Sequence, residues 1–125
     1  MDSLKATMMQ AVSGMQLQSK RIDISSQNVS NADTPGYRRK ILSVEQAPTA
    51  ADAFIATRIE PDQTEGERSY DPASPLADAE GYVTASNVAL VTEMADMREA
   101  NRGYEANLNS FRQARSMYQS LLDIL

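Results

Sequence analysis

LVTEMADMREANRGYEANLNSFRQARSMYQSLLDIL, residues 90–125, decides the fold. Steps of four and three from Leu90 land on Met94, Met97, Asn101, Tyr104, Leu108, Phe111, Arg115, Tyr118, Leu122 and Leu125. Only Asn101 and Arg115 interrupt that apolar stripe, and a 4-3 alternation is the seam of a heptad helix. No proline follows Pro75, and Ala, Glu, Arg, Met and Leu, all good helix formers, fill most other places. Ser86 and Asn87 are natural N-cap residues, so the reading is one helix over 86–125. At roughly 1.5 Å per residue it reaches about 60 Å, too long for so short a chain to wrap. Its stripe therefore calls for partners.

The opposite end of the chain repeats the pattern. From Leu4 the same steps fall on Met8, Ala11, Met15, Gln18, Ile22, Ser25 and Val29, which predicts a helix from about Ser3 to Ser30. Gly14 in its interior costs near 1 kcal/mol relative to Ala, which is tolerable where another backbone approaches closely. The Met residues on this seam serve either as adaptable contacts for non-identical neighbours or as ordinary core filler. Asn31-Ala32-Asp33-Thr34-Pro35-Gly36-Tyr37 then stops the helix, with Pro35-Gly36 suited to the centre of a type II turn.

Residues 37–85 are less regular. Ala53, Ile55, Thr57 and Ile59 alternate with Phe54, Ala56, Arg58 and Glu60 as in a strand, and Arg38–Val44 and Gly81–Thr84 are candidates to pair with it. Pro61, Gly66, Pro72 and Pro75 mark loops. The expected fold is mainly α: two long terminal amphipathic helices forming an antiparallel coiled-coil-like pair, with a small β-rich or irregular insert between them. Residues 1–36 and 86–125 make a discontinuous helical assembly domain, and 37–85 the middle segment. The seams then hold Leu4, Met8, Ala11, Met15, Ile22 and Val29 on one helix. On the other they hold Leu90, Met94, Met97, Tyr104, Leu108, Phe111, Tyr118, Leu122 and Leu125. The remaining apolar positions, Val12, Leu17, Val88, Val91, Met117 and Leu121, are left to meet other copies.

Composition narrows the function. The chain has 125 residues, 42% apolar and 23% charged, with no Cys, Trp or His. Disulfides and thiolate metal sites are excluded, and zinc, haem and imidazole catalysis are not expected. No apolar run is long enough to span a bilayer, and no cleaved secretory leader is expected. Residues 1–40 hold six bases against three acids, 41–86 two against nine, and 87–125 four against five, for a net charge of −5. An acidic middle is a poor nucleic-acid surface. Asp62, Glu65 and Glu67, like Asp71, Asp78 and Glu80, lack EF-hand spacing and read as solvated loops. Lys20-Arg21 and Arg38-Arg39-Lys40 read as pairing with subunits or with the acidic middle. No enzyme, no cofactor and no small-molecule substrate is expected.

Two motifs carry a resemblance. Ser25-Ser26-Gln27-Asn28-Val29-Ser30-Asn31-Ala32-Asp33-Thr34-Pro35-Gly36-Tyr37 resembles the signature A-N-N-(I/L)-A-N-x-x-T-P-G-(Y/F) of the bacterial flagellar axial proteins, departing at Ser25 and Ser30, where Ala is usual. Tyr70-Asp71-Pro72 with Asp78-Ala79-Glu80-Gly81-Tyr82-Val83 is similar to the Y-D-P…D-A-x-G-Y-V run of the proximal-rod members. It continues through Asn87-Val88 and Glu93-Met94 into Arg102-Gly103-Tyr104-Glu105-Ala106-Asn107, with Gly103 where a non-glycine residue is usual. The resemblance implies a structural subunit of the basal-body rod within the periplasm. Such a subunit passes unfolded through the flagellar type III export apparatus with an uncleaved signal. It assembles around the export channel beside FlgB, FliE and FlgF, and it transmits torque from motor to hook and filament. The turn at Thr34–Tyr37 would fix where the first helix hands over to the middle segment. The alternative from another class is a soluble coiled-coil adaptor or export chaperone binding one partner through a helical hairpin.

Overall fold

The computed structural model describes residues 2–45 and 56–125. Two helices dominate it: α1 over Asp2–Ser30 and α2 over Leu90–Ile124. At about 1.5 Å per residue they are roughly 43 and 52 Å long. Between them, among the described residues, lie four short strands: β1 (Lys40–Glu45), β2 (Ala56–Pro61), β3 (Arg68–Tyr70) and β4 (Tyr82–Thr84). β1 and β2 form one antiparallel ribbon, with Lys40 opposite Pro61 and Glu45 opposite Ala56. β3 and β4 form a second, with Arg68 opposite Thr84 and Tyr70 opposite Tyr82. Pro61 stands at the end of its strand, where its missing N–H removes no interior ladder bond.

The middle segment departs from expectation in its pairing. Lys40–Glu45 does pair with the strand around Thr57 and Ile59, but Tyr82–Thr84 pairs with Arg68–Tyr70 instead. The expected strand residues Ala53, Phe54 and Ile55 lie outside the described residues. The partner for β4 is chosen locally. Asp78 Oδ1 accepts the backbone N–H groups of Glu80 and Tyr82, each at 2.9 Å, which turns the chain back so that Tyr82 meets Tyr70 edge to face at 5.4 Å.

The start of α2 is also corrected. Ser86 and Asn87 are not its caps: the helix begins at Leu90, with Ala89 in extended conformation at the N-cap and no side-chain cap bond. Both polar side chains are committed elsewhere. Ser86 Oγ donates to the Ala32 carbonyl, and Asn87 bonds three other backbone groups. Glu93 in the first turn supplies the negative charge that a helix N-terminus favours.

Burial is confined almost wholly to the line where the helices meet. Among the described residues Ala11, Ile24, Ala100 and Ala114 are the buried apolar side chains, and Ser25, Asn28 and Glu93 the buried polar ones. Outside the helices Gly81 alone is buried among the described residues. Small residues predominate in this core, so the helices approach closely and bury little large apolar surface.

Candidate assembly surface and the junction that positions it

The turn after α1 is built as a closed loop. Asn31 Nδ2 donates to the Gln27 carbonyl at 2.9 Å, while its Oδ1 accepts the Thr34 hydroxyl at 3.2 Å. Pro35 and Gly36 then form the turn that Tyr37 N–H closes onto the Thr34 carbonyl at 3.2 Å. Gly36 has φ of +75°, the region that type II turns demand at that place and that glycine enters without steric cost. Tyr37 reaches back so that its hydroxyl donates to Asn28 Oδ1 at 2.9 Å.

Asn28, fully buried, is the centre of the junction. Its Oδ1 also accepts Lys40 N–H at 2.9 Å, and its Nδ2 donates to the Lys40 carbonyl at 3.0 Å and to Glu93 Oε1 at 3.2 Å. One side chain thereby ties α1 to the turn, to β1 and to α2. Glu93, also fully buried, takes a second bond at 2.7 Å from Arg39 Nε. Arg39 faces Asp96 and Asp62 as well, at 3.5 and 3.7 Å. Asn87 completes the junction: its Oδ1 accepts Arg39 N–H at 2.6 Å and its Nδ2 donates to the carbonyls of Thr64 at 2.7 Å and Asp62 at 3.3 Å.

The electrostatics follow the geometry. Burial raises the Tyr37 hydroxyl above the ordinary phenol range, and the Glu93 carboxylate adds to that. Burial alone would lower the Arg39 guanidinium, but the Glu93 hydrogen bond and the charges of Glu93, Asp96 and Asp62 outweigh it and raise it. The half-buried Asp62 carboxyl is held below its usual range, chiefly by its bond from Thr64 N–H. Asp78 is lowered likewise by the Tyr82 and Glu80 N–H groups and by Arg68, whose guanidinium donates to it at 2.7 Å and lies 4.9 Å from the Tyr82 ring centre.

Beyond the junction, the helices touch at points that run in opposite order along the two. Asn28 meets Glu93, Gln18 lies against Gly103, Gly14 lies against Asn107, and Lys5 Nζ sits 5.8 Å from the Tyr118 ring centre. The α2 line facing α1 is thus Glu93, Ala100, Asn107 and Ala114, spaced by sevens. The large apolar stripe read from the sequence lies on its flank. Met97, Leu108, Phe111 and Tyr118 are half-buried, whereas Leu90, Met94, Tyr104, Leu122 and Leu125 are exposed. On α1, Ala11 is buried and Leu4, Met8, Met15, Ile22 and Val29 are half-buried. Of the positions left over for other copies, Val12, Val91, Met117 and Leu121 are exposed and Leu17 and Val88 half-buried.

The second motif is a largely exposed knuckle around the buried Gly81. Asp71 N–H donates to the Gly81 carbonyl at 2.9 Å, Pro72 follows in the loop, and Tyr70 and Tyr82 stack across β3 and β4. On α2, Asn107 Nδ2 donates to the Gly103 carbonyl at 2.9 Å, while Glu105 and Ala106 are exposed. Residues that sequence reading left out of its site are Gly14, Gln18, Arg39, Asn87, Glu93 and Gly103. The recurrence of small Ala100 and Ala114 two heptads apart was the signal for a close helix contact on that line.

Two family models match the segments that meet here. "Flagella basal body rod protein" covers residues 8–38, and "Flagellar basal body rod FlgEFG protein C-terminal" covers residues 79–124. The flagellar basal-body rod protein FlgC of Agrobacterium fabrum is 40% identical, with 100% of this chain and 97% of that protein aligned. The FlgC proteins of Salmonella typhimurium and Bacillus subtilis are 36% and 29% identical, each over 91% of this chain and 92% and 93% of their own lengths. From α1 and its closed turn to the knuckle and α2, the chain belongs to the flagellar basal-body rod protein FlgC family, and it is a structural subunit of the rod and not an enzyme.

Proposed function

We propose that this rod subunit polymerises around the flagellar export channel through its helical ends and carries torque from motor to hook and filament. Residues 1–36 and 86–125 act as one assembly domain, an antiparallel coiled-coil-like pair, and 37–85 as the outer middle segment. Neighbours are further copies and the rod proteins FlgB, FliE and FlgF, reached after passage through the type III export apparatus and seated within the periplasm. The seam residues, Leu4 to Val29 on α1 and Leu90 to Leu125 on α2, are divided between the internal contact and those neighbours. The turn motif (Asn28, Asn31, Thr34–Tyr37) and the knuckle (Tyr70–Pro72, Gly81, Tyr82) set where the middle segment leaves the pair.

One observation carries this reading. Six sizeable apolar side chains on α2 and at its C-cap are uncovered: Leu90, Val91, Met94, Met117, Leu122 and Leu125 are each at least 46% exposed. They gather at the two ends of α2, and clustered exposed apolar side chains mark a protein contact. The test is Met94→Asp or Leu122→Asp in a strain lacking the native protein. Because both sites are open, helix content and stability of the purified chain should change by no more than about 0.5 kcal/mol. Swimming should be lost and rods should not extend past the subunit. Normal swimming in both strains sinks the proposal.

A further inference from the structure

α2 offers α1 two faces. One carries the large side chains Leu90, Met94, Tyr104, Leu108 and Leu122; the other carries Glu93, Ala100, Gly103, Asn107 and Ala114. Apolar area alone favours the first. α1 lies on the second, where two reciprocal sockets meet it. The Asn107 amide fills the space a Cβ on Gly14 would need, 2.6 Å from that position, and the Gln18 amide fills that of Gly103, 2.8 Å away. Gly14 and Gly103 are the sole glycines of their helices, and each stands one turn from the amide that its helix contributes. Among the described residues Gln18 Oε1 is buried with no donor. An orphaned acceptor lowers stability. Such a group in a seam is explained where it selects one arrangement over a competing one.

We propose that Gly14, Gln18, Gly103 and Asn107 determine which face of α2 receives α1, and so keep the outer part of the large apolar stripe, Leu90, Met94 and Leu122, uncovered. On the large-residue face Gln18 would be pressed against apolar side chains with no glycine to admit it. The amides thus penalise the arrangement that hydrophobicity prefers, and the glycines permit the other.

The chain has no cysteine, so Met94→Cys provides a single reporter on the stripe, at a position 53% exposed. In the purified full chain this thiol should react with a maleimide freely. Adding Gln18→Leu, or Gly103→Ala, should leave the chain helical by circular dichroism and slow the reaction several-fold as α1 turns onto the stripe. Gly103→Ala combined with Gln18→Ala, which trims the amide and reopens the socket, should restore the fast rate. Unchanged reactivity in both single variants overturns the inference. Loss of helix in both overturns it too, because the sockets would then hold the fold without choosing a face. The purpose assigned to the open stripe rests on the assembly reading, and swimming separates the two. A Gln18→Leu strain with slowed labelling and normal motility upholds the face selection and removes that purpose.

Discussion

Asn28→Asp is the sharpest test of the junction, because it keeps the shape of the side chain and changes only its protons and charge. The new carboxylate still accepts from Tyr37 and Lys40 N–H, but it loses both donations, to the Lys40 carbonyl and to Glu93 Oε1. Where a hydrogen bond of 3.2 Å stood, two like charges face each other. At an effective dielectric of ~20 that repulsion is about 5 kcal/mol. Protonation caps it, since loading a proton at pH 7 on a carboxyl of ordinary pKa ~3.9 costs about 4 kcal/mol. The Arg39 guanidinium beside Glu93 offsets part, and the lost bond to Lys40 adds about 1 kcal/mol. The expected loss is about 3–5 kcal/mol, or roughly 10–20 °C in Tm for a chain of this length. The sign of the pH effect follows. The folded state raises the pKa of the introduced carboxyl above its unfolded value, so the loss grows as pH rises from about 4 and is relieved on acidification. Asn28→Ala, with nothing new to titrate, provides the baseline. Thermal unfolding followed by far-UV circular dichroism at pH 7.5 and pH 4.5 gives the comparison. If the Asp variant melts with the parent at pH 7.5, or if its deficit relative to the Ala variant does not narrow at pH 4.5, the junction does not work as described.

Three smaller tests address the turn and the knuckle. Gly36→Ala should cost about 1–2 kcal/mol by chemical denaturation purely through its φ of +75°, because among the described residues no atom beyond its chain neighbours lies within 4 Å of an added Cβ. Tyr37→Phe removes one hydroxyl bond to Asn28 and should cost about 1 kcal/mol in the same assay. The Asp78 carboxyl is depressed, so its support of the β3–β4 knuckle is present above its ordinary pKa and disappears as pH falls through the lowered folded value. Amide resonances of Glu80 and Tyr82 should therefore move only below that ordinary range, and Asp78→Asn should remove the transition.

Much of the architecture was legible because it is periodic. α1 was expected from Ser3 to Ser30 and runs from Asp2 to Ser30, and the Thr34–Tyr37 turn follows from Pro-Gly chemistry. What escaped were side chains whose role is to bond backbone far away in sequence. Asn87 has the composition of an N-cap, yet its partners Arg39, Asp62 and Thr64 lie 23–48 residues away. No local pattern records such a debt. β4 was misassigned for a related reason: three-residue strands carry almost no alternation, and the Asp78 side chain that turns Tyr82 toward Tyr70 reads in isolation as part of an acidic loop.

The departure on α2 is instructive about heptad reading itself. Seven-residue lines displaced by one residue are separated by about 100° around a helix, and either can complete a 4-3 rhythm with the same third line between them. On α2 the line Glu93, Ala100, Asn107, Ala114 shares its complementary positions Met97, Tyr104, Phe111 and Tyr118 with the stripe counted from Leu90. Those shared residues sit at the edge of the α1 contact, and all but Tyr104 are half-buried. Counting large apolar residues selects the phase with the greatest area, which is the phase a lone hairpin would bury. A subunit that must keep surface for others places its small residues inward and leaves the larger ones out. A helix whose richest stripe is bordered by a second line of Ala, Gly and amides at the same period therefore argues for two partners, with the small line taking the internal one.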